Sequence, residues 1–301
     1  MTALGECGTH AIFAAALGPL AVHETELARR LFGHLRAGML MIADRGFAGF
    51  DLWRAAAATG ADLLWRVKNS AVLPVAGQLA DGSYLSQIYS ARDKNRHADP
   101  ITVRVVEYTL AGSATVYRLL TTITDPAQAP ALDLAALYAQ RWEFEISLGE
   151  LKTRQGAPRM VLRSQTPGGV EQEVYGFLLV HYAIRTLMHQ AALDAGIDPD
   201  RVSFTRTLRL VRRQVPPRRP FPPSRLARTL IRALAEIQRH LLTRRPRSNP
   251  RVIKRKMSNW KLKRAEHRGP KQPSPRPAGA ITIAAATKPH PTSRHKPLIQ
   301  T

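Results

Sequence analysis

The sequence predicts an α/β protein: a strand–helix–strand unit, a β-rich insertion, a helical second part of the core, and a basic C-terminal region. Three observations predict it. Short apolar runs that end abruptly in Asp or Gly flank a helical pattern over residues 39–68. The hydrophobic period then falls to two over residues 70–124, and it returns to 3.6 from about residue 131 to beyond residue 190.

Each element has its own warrant. The apolar run Ala11 to Val22 follows Glu6 rather than a basic stretch. At about twelve residues it is too short to cross a membrane, and it lacks a signal-peptide start. His23 to Leu35 reads as a surface helix carrying Glu24 and Glu26. Met39 to Ala43 is a continuous apolar run, as a buried strand should be, and the acid that ends it, Asp44, would point into a cleft. Gly49 to Thr59 reads as a helix stopped by Gly60, and Asp62 to Lys68 as a strand parallel to the first.

Residues 70–124 alternate in runs at Tyr84–Tyr89, Ile101–Leu110 and Val116–Ile123, which marks a β-rich insertion. Asp125-Pro126 closes it, and Asp133 is expected to cap the next helix. A second long helix spans Gly169 to Ala192, apolar through Phe177, Leu178, Val180, Ile184 and Leu187. Val215 to Pro223 is a stiff proline-rich linker. Ser224 then starts a helix with an apolar stripe at Leu226, Leu230, Ile231, Leu234, Ile237 and Leu241. The stretch from Asn249 is basic, with Lys254, Arg255 and Lys256 at its centre and Trp260 available to pack on a sugar or base. The Pro-, Ser- and Ala-rich residues 269–301 are expected to be disordered. The organisation expected is thus 1–69, 70–124 and 125–214 for the core and its insertion, 215–268 for the linker and basic helical region, and 269–301 for the tail.

Charge is unevenly distributed. The chain carries 45 Lys+Arg against 22 Asp+Glu, a net +23. Residues 1–150 hold 13 basic and 15 acidic side chains, whereas residues 151–301 hold 32 and 7. After Asp200 only Glu236 and Glu266 are acidic, so the last third is an electrostatic footprint for a polyanion. A ribosomal or chromatin-like tail would show the same excess. The single cysteine, Cys7, excludes an internal disulfide framework and suits a reducing cytoplasm; it reads as a small buried hydrophobe. His10, His181 and His189 have no metal-ligand spacing and read as packed or surface side chains.

The segment Tyr138 to Lys152 carries the chemistry. As one α-helix it would place Tyr138, Arg141, Glu145 and Lys152 within roughly 60° of one another. A carboxylate beside two cations and a phenol can hold a metal ion and grip phosphates around it. Glu143 and Glu150 fall on the opposite face, where a solvated surface is expected, while Glu145 borders the stripe of Leu137, Phe144, Leu148 and Leu151. The angles alone fit equally an amphipathic helix with an Arg141–Glu145 pair.

The spacing Tyr-x2-Arg-x3-Glu-x6-Lys at these four residues resembles the motif of DDE transposases of the bacterial insertion-sequence family four. Further stretches are similar: Glu6-Cys-Gly-Thr-His10, Ala43-Asp44-Arg45-Gly46-Phe47, Arg163-Ser-Gln-Thr-Pro167 and Asn249 to Met257. The resemblance covers roughly residues 1–265. It implies an incomplete ribonuclease H-like domain whose β-strand insertion separates Asp44 from Glu145. It implies Asp44 and Glu145 as catalytic acids binding Mg²⁺ or Mn²⁺, in a mechanism where two ions activate the attacking oxygen and stabilise the leaving one. By the same resemblance Arg141 and Lys152 would hold phosphates of a transposon end, Tyr138 would touch a phosphate beside the scissile bond, and Tyr117 would stack on a flipped nucleotide. For Asp44 the competing reading is a strand-terminal turn residue, and for Tyr117 a packed strand residue.

One departure stands out. The family's first catalytic aspartate precedes the Glu-Cys-Gly-Thr-His segment, yet no aspartate precedes Asp44 in this chain. The resemblance therefore leads us to expect that the first two strands are missing. The sheet order 3-2-1-4-5 would leave strand three, near Leu4 to Phe13, without a partner, and would give strand four an exposed edge. The expected function is DNA transposition, with terminal inverted repeats and target DNA as partners and activity lost through truncation. A homodimer or a full-length transposase is the expected protein partner. The alternatives are a non-catalytic basic DNA-binding remnant that regulates such an enzyme, and a metal-dependent nuclease without strand transfer.

Overall fold

A computed structural model describes residues 1–93, 98–111, 115–156, 161–215, 223–242, 252–253, 261–262 and 277–284. The chain opens with a hairpin, β1 (Thr2–Gly5) and β2 (Ile12–Ala16), paired antiparallel from Thr2↔Ala16 to Gly5↔Ile12. This corrects the expectation of one unpartnered strand over Leu4 to Phe13. Glu6 to Ala11 form the connection, with Glu6 N–H bonded to Ala11 C=O and His10 at a φ of 61°. A tight return at these residues lets the two short strands satisfy each other.

Helix α1 (Glu24–Arg30) leads to β3 (Leu40–Ala43), α2 (Phe50–Ala57) and β4 (Asp62–Val67). The β3–β4 pair is parallel, as the strand–helix–strand reading requires. Gly60, at a φ of 82°, makes the left-handed turn that ends α2. The insertion supplies β5 (Gly77–Gln78), β6 (Tyr84–Ile88), β7 (Ile101–Leu110) and β8 (Tyr117–Thr121), all paired antiparallel. β8 pairs directly with β4, so the insertion and the core form one sheet in the order β3-β4-β8-β7-β6-β5.

That sheet is covered on both faces. Met41, Ala43, Leu63, Trp65, Val67, Val103 and Val105 pack towards α1 and α2. There Trp53 meets Trp65 edge to face at 5.2 Å. The alternate residues Leu40, Ile42, Leu64, Val106 and Tyr108 pack against α3 (Ala131–Tyr138). The two-residue period of β4 is therefore buried on both sides, which explains its continuous apolar run. The insertion also has a buried polar anchor. Arg104, wholly inaccessible, pairs with Asp81 and donates to Ser83 Oγ at 2.8 Å and to Ala129 C=O at 2.8 Å.

The motif segment is not one α-helix. α3 ends at Tyr138, α4 runs Arg141–Gly149, and Glu150–Gln155 form a π-helical turn. Pro130, not Asp133, occupies the cap of α3; Asp133 lies in its first turn, where a carboxylate suits the helix dipole. The long helix α5 (Pro167–Asp194) follows, capped by Thr166, whose hydroxyl accepts from Gly169 N–H. Its buried side includes Leu178, His181, Ile184, Arg185 and Met188, whereas Val180 is half exposed, contrary to its expected inward place.

α6 (Phe204–Gln214) and α7 (Pro223–Gln238) pack on the C-terminal half of α5. Only the second half of the expected α7 stripe is buried: Leu234, Ile237 and Leu241 join this cluster, while Leu226, Leu230 and Ile231 are exposed. Two short parallel strands, β9 (Val252–Ile253) and β10 (Lys261–Leu262), pair with each other. Part of the tail expected to be disordered is instead a strand. β11 (Ile281–Ile283) pairs antiparallel with β7, Thr282 opposite Thr109, because Ile281 and Ile283 reach the apolar face under α3. Residues 269–276 and 285–301, and most of the linker at 215–223, lie outside the described residues, as do Lys254, Arg255, Lys256 and Trp260. Among the described residues no helix is long and apolar enough to cross a membrane.

Candidate active site

β3 delivers Asp44 to its C-terminal end, where the parallel sheet stops and the chain turns. Asp44 Oδ1 accepts from Gly46 N–H at 2.8 Å, so the turn role is real. It does not use the whole carboxylate, because among the described residues no hydrogen bond engages Oδ2. On the facing helix α4, Arg141 donates to Glu145 Oε1 at 2.9 Å. Glu145 is 46% exposed, so this i,i+4 pair adds little to stability.

Asp44, Arg141 and Glu145 line one cavity of about 1040 Å³. The electrostatics agree that they meet. Burial alone would lower the pKa of the Arg141 guanidinium, but Tyr138, Glu145 and Asp44 outweigh it and raise it. The same neighbourhood acts on Tyr138: burial raises its phenol pKa most, Arg141 and Arg66 oppose, and Asp44 raises it further. Two carboxylates distant in sequence thus act on one arginine, Glu145 through a hydrogen bond and Asp44 through its charge.

The rest of the expected constellation is distributed differently. Tyr138 is buried against the sheet with Leu134, its ring 5.9 Å from the Arg141 guanidinium, and it does not line the cavity. Lys152 is exposed on the π-helical turn. The expectation of a single helix is therefore corrected to three consecutive elements, with Tyr138 at the end of α3, Arg141 and Glu145 on α4 and Lys152 on the π-helical turn. Tyr117 stacks on Tyr108 at 5.1 Å, with the Arg66 guanidinium 4.5 Å from its ring centroid. Its ring already has an aromatic and a cationic neighbour.

The opposite face of the motif segment is not solvated. Glu150 is buried and pairs with Arg185 of α5, which also bonds His10 Nδ1 at 3.0 Å. On its other side, His10 Nε2 lies 2.8 Å from Asp200 and 3.2 Å from Glu143. The reason is α5, which covers this face and brings its own cation. The signal was present in the sequence: His181 and Arg185 fall on the stripe of Leu178 and Met188 at intervals of three and four, polar residues where a core face would be apolar.

His10, Glu143 and Asp200 carry the atoms of a metal site. The tautomer argues for a cluster of ion pairs instead. Arg185 can only donate, so Nδ1 must accept, which leaves the proton on Nε2, the nitrogen 2.8 Å from Asp200 and 3.2 Å from Glu143. Burial disfavours the imidazolium, yet Asp200 and Glu143 more than offset it and raise the His10 pKa. Cys7, half-buried nearby, has its thiol pKa raised by burial, then by Glu143 and Glu6.

With this geometry in place, comparison with known proteins decides the family. Residues 7–183, more than half of the chain, match the transposase DDE domain. The chain belongs to that family. It is also 30% identical over 265 residues to the transposase InsG for insertion sequence element IS4 of Escherichia coli, an alignment covering 85% of this chain. The chain spans 59% of that relative's length. Members of the family use divalent cations. Asp44 and Glu145 each bring a carboxylate to the lining of one cavity.

Proposed function

We propose that this chain acts in DNA transposition: it binds transposon ends and cleaves and joins DNA strands through a ribonuclease H-like arrangement in which Asp44 and Glu145 are the catalytic acids. One observation supports it above the rest. Two carboxylates on separate elements, a strand end and a facing helix, line one cavity and act on the same arginine.

Asp44 and Glu145 would hold the divalent ions, Mg²⁺ or Mn²⁺, which when bound activate the attacking oxygen and stabilise the leaving one. Arg141 has two parts. It orients Glu145 through the 2.9 Å bond, and its charge attracts the scissile phosphate into a site that two carboxylates would otherwise make repulsive. Exposed Lys152 and the cluster Lys254, Arg255 and Lys256 contact phosphates further along the DNA. Tyr138 positions Arg141 from beneath. Tyr117 remains a stacking candidate only where DNA displaces Arg66 from its ring.

The second reading is a non-catalytic DNA-binding protein that occupies transposon ends or joins a full-length transposase. It is favoured by the excess of +25 beyond residue 150, a charge distribution that binds DNA whether or not the cavity is catalytic. The deciding experiment incubates the full chain with terminal-repeat duplex and Mg²⁺ or Mn²⁺, beside Asp44→Ala and Glu145→Gln. Metal-dependent cleavage abolished by both substitutions supports the enzyme. Salt-sensitive binding of unchanged strength, with no cleavage by the parent chain, selects the binding protein.

A further inference from the structure

The two helices that pack on the C-terminal half of α5 carry arginines at the same spacing. Arg206, Arg209 and Arg213 on α6 follow the pattern Arg-x2-Arg-x3-Arg, and so do Arg225, Arg228 and Arg232 on α7. At about 100° per residue each set falls within roughly 60° of arc, and Arg239, just beyond α7, falls in the same arc as the α7 set. All of these arginines are exposed. The α7 row is turned well away from Ala233 and Ile237, which are buried against α5, so packing of the helix points the row outward. Glu236 is the one acidic side chain on either helix. It pairs with Arg213, and Arg206 donates to His240 C=O, which joins the two rows into one basic surface. Arg212 lies off the row and is taken up elsewhere, by Gln155 C=O at 2.8 Å. Neither helix lines the cavity of Asp44 and Glu145.

We infer that α6 and α7 together form a DNA-binding face, separate from the cavity, that grips the phosphate backbone of a duplex and reads no bases. The guanidinium is a planar fork of donors that matches a phosphate, and here it recurs along two neighbouring helices. Width decides between backbone and bases. One α-helix with its side chains is about 10–12 Å across, and the major groove of B-DNA, about 12 Å wide, admits one. Two helices side by side do not enter it. Their arginines meet the phosphate ridges instead, which fix position and carry no sequence. From Arg225 to Arg239 the α7 row is about 21 Å long at 1.5 Å per residue. A duplex presents one charge per about 1.7 Å of its axis, so the row finds phosphates in any register. An anionic membrane would need large apolar side chains among the arginines, and none stands within either arc. The family of the chain favours DNA over RNA as the polyanion. The inference rests on the DNA binding proposed above, but not on the catalytic roles of Asp44 and Glu145: the cavity would act on one stretch of duplex while this face holds another, whatever its sequence.

The test reads binding without divalent metal. Fluorescence anisotropy follows the full chain on a random-sequence DNA duplex, a terminal-repeat duplex and a duplex RNA over a salt series. Arg225, Arg228 and Arg232 are replaced together by Gln. A control of equal charge change replaces Arg29, Arg30 and Arg54, exposed on and beside α1 and α2. The expected result is a slope of log affinity against log salt concentration reduced by up to about 2.7 in the α7 variant, about 0.9 for each phosphate released, by the same amount on both DNA duplexes. The control keeps the parent's slope, and so does a variant with Lys at the three α7 positions, which retains the charge. Four results overturn the inference: an unchanged slope in the α7 variant, an equal reduction in the control, a greater loss on the terminal repeat than on random DNA, or duplex RNA bound as tightly as DNA with the same loss. Metal-dependent cleavage by a chain whose α7 variant keeps its slope would overturn this inference alone and leave the proposed function standing.

Discussion

At the scale of single residues, the two faces of the motif segment invert the expectation drawn from angles. Glu145, the acid placed at the edge of the core, is nearly half exposed, whereas Glu150, assigned to a solvated face, is buried against Arg185. Removing one partner of a buried ion pair leaves a charge without compensation, so Glu150→Ala should cost about 3–5 kcal/mol. Glu145→Gln should change stability by less than about 1 kcal/mol. Urea unfolding of both variants checks this, and equal losses would refute the contrast. His10 gives a pH signature. Its pKa is raised in the folded chain, so the stabilisation it contributes is complete below the unfolded value, about 6.5, and is lost as pH rises through the folded value. His10→Gln should therefore flatten the decline in midpoint denaturant concentration on the alkaline side of that value. A decline of unchanged slope in the variant would assign it to another group. The end of β3 was legible because an apolar run that stops at an acid marks a strand terminus, and Asp44 stands there, bonded to Gly46 N–H. The His10 cluster was not, because its members come from four separate segments that only α5 draws together.

At the scale of elements, local pattern served well where one element buries itself on a sheet. Met39 to Ala43, Gly49 to Thr59 and Asp62 to Lys68 appear as β3, α2 and β4 with small changes at their ends. It failed where tertiary pairing decides. No periodicity in Glu6 to Ala11 announces a hairpin, and three residues at 281–283 are too few to carry a strand signal unless β7 is already there to receive them. That pairing is testable. Ala111 N–H donates to Ala280 C=O at 2.7 Å and Ala284 N–H to Glu107 C=O at 2.8 Å, closing both ends of the β7–β11 ladder. Thr282→Pro should strip this ladder at a cost of about 1–2 kcal/mol and speed amide exchange at Ala111. Unaltered exchange there would show that β11 does not hold the edge of β7. The break between α3 and α4 and the π-helical turn likewise have no clear sequence signal, since each residue concerned is compatible with an ordinary helix.

At the scale of the whole molecule, charge and fold are divided along the chain. The sheet and its two carboxylates belong to a nearly neutral half, and the excess of +25 lies beyond residue 150. Binding of DNA should accordingly weaken steeply with salt. Replacing Lys254, Arg255 and Lys256 together by Gln should reduce the slope of log affinity against log salt concentration by up to about 2.7, roughly 0.9 for each phosphate that is no longer neutralised. Fluorescence anisotropy over a salt series measures it, and a slope equal to that of the parent chain would place the anchor elsewhere. The continuity of the sheet across the insertion bears also on how the molecule is made. β4 finds one neighbour, β3, close by in the chain, but its other neighbour, β8, is more than fifty residues ahead, with Leu64 opposite Thr121. On the ribosome β4 must wait for that distant partner, its apolar side chains uncovered on one edge. Pairings of such sequence separation make for slow folding and a long exposure to aggregation, a hazard fixed by topology before the sheet is complete.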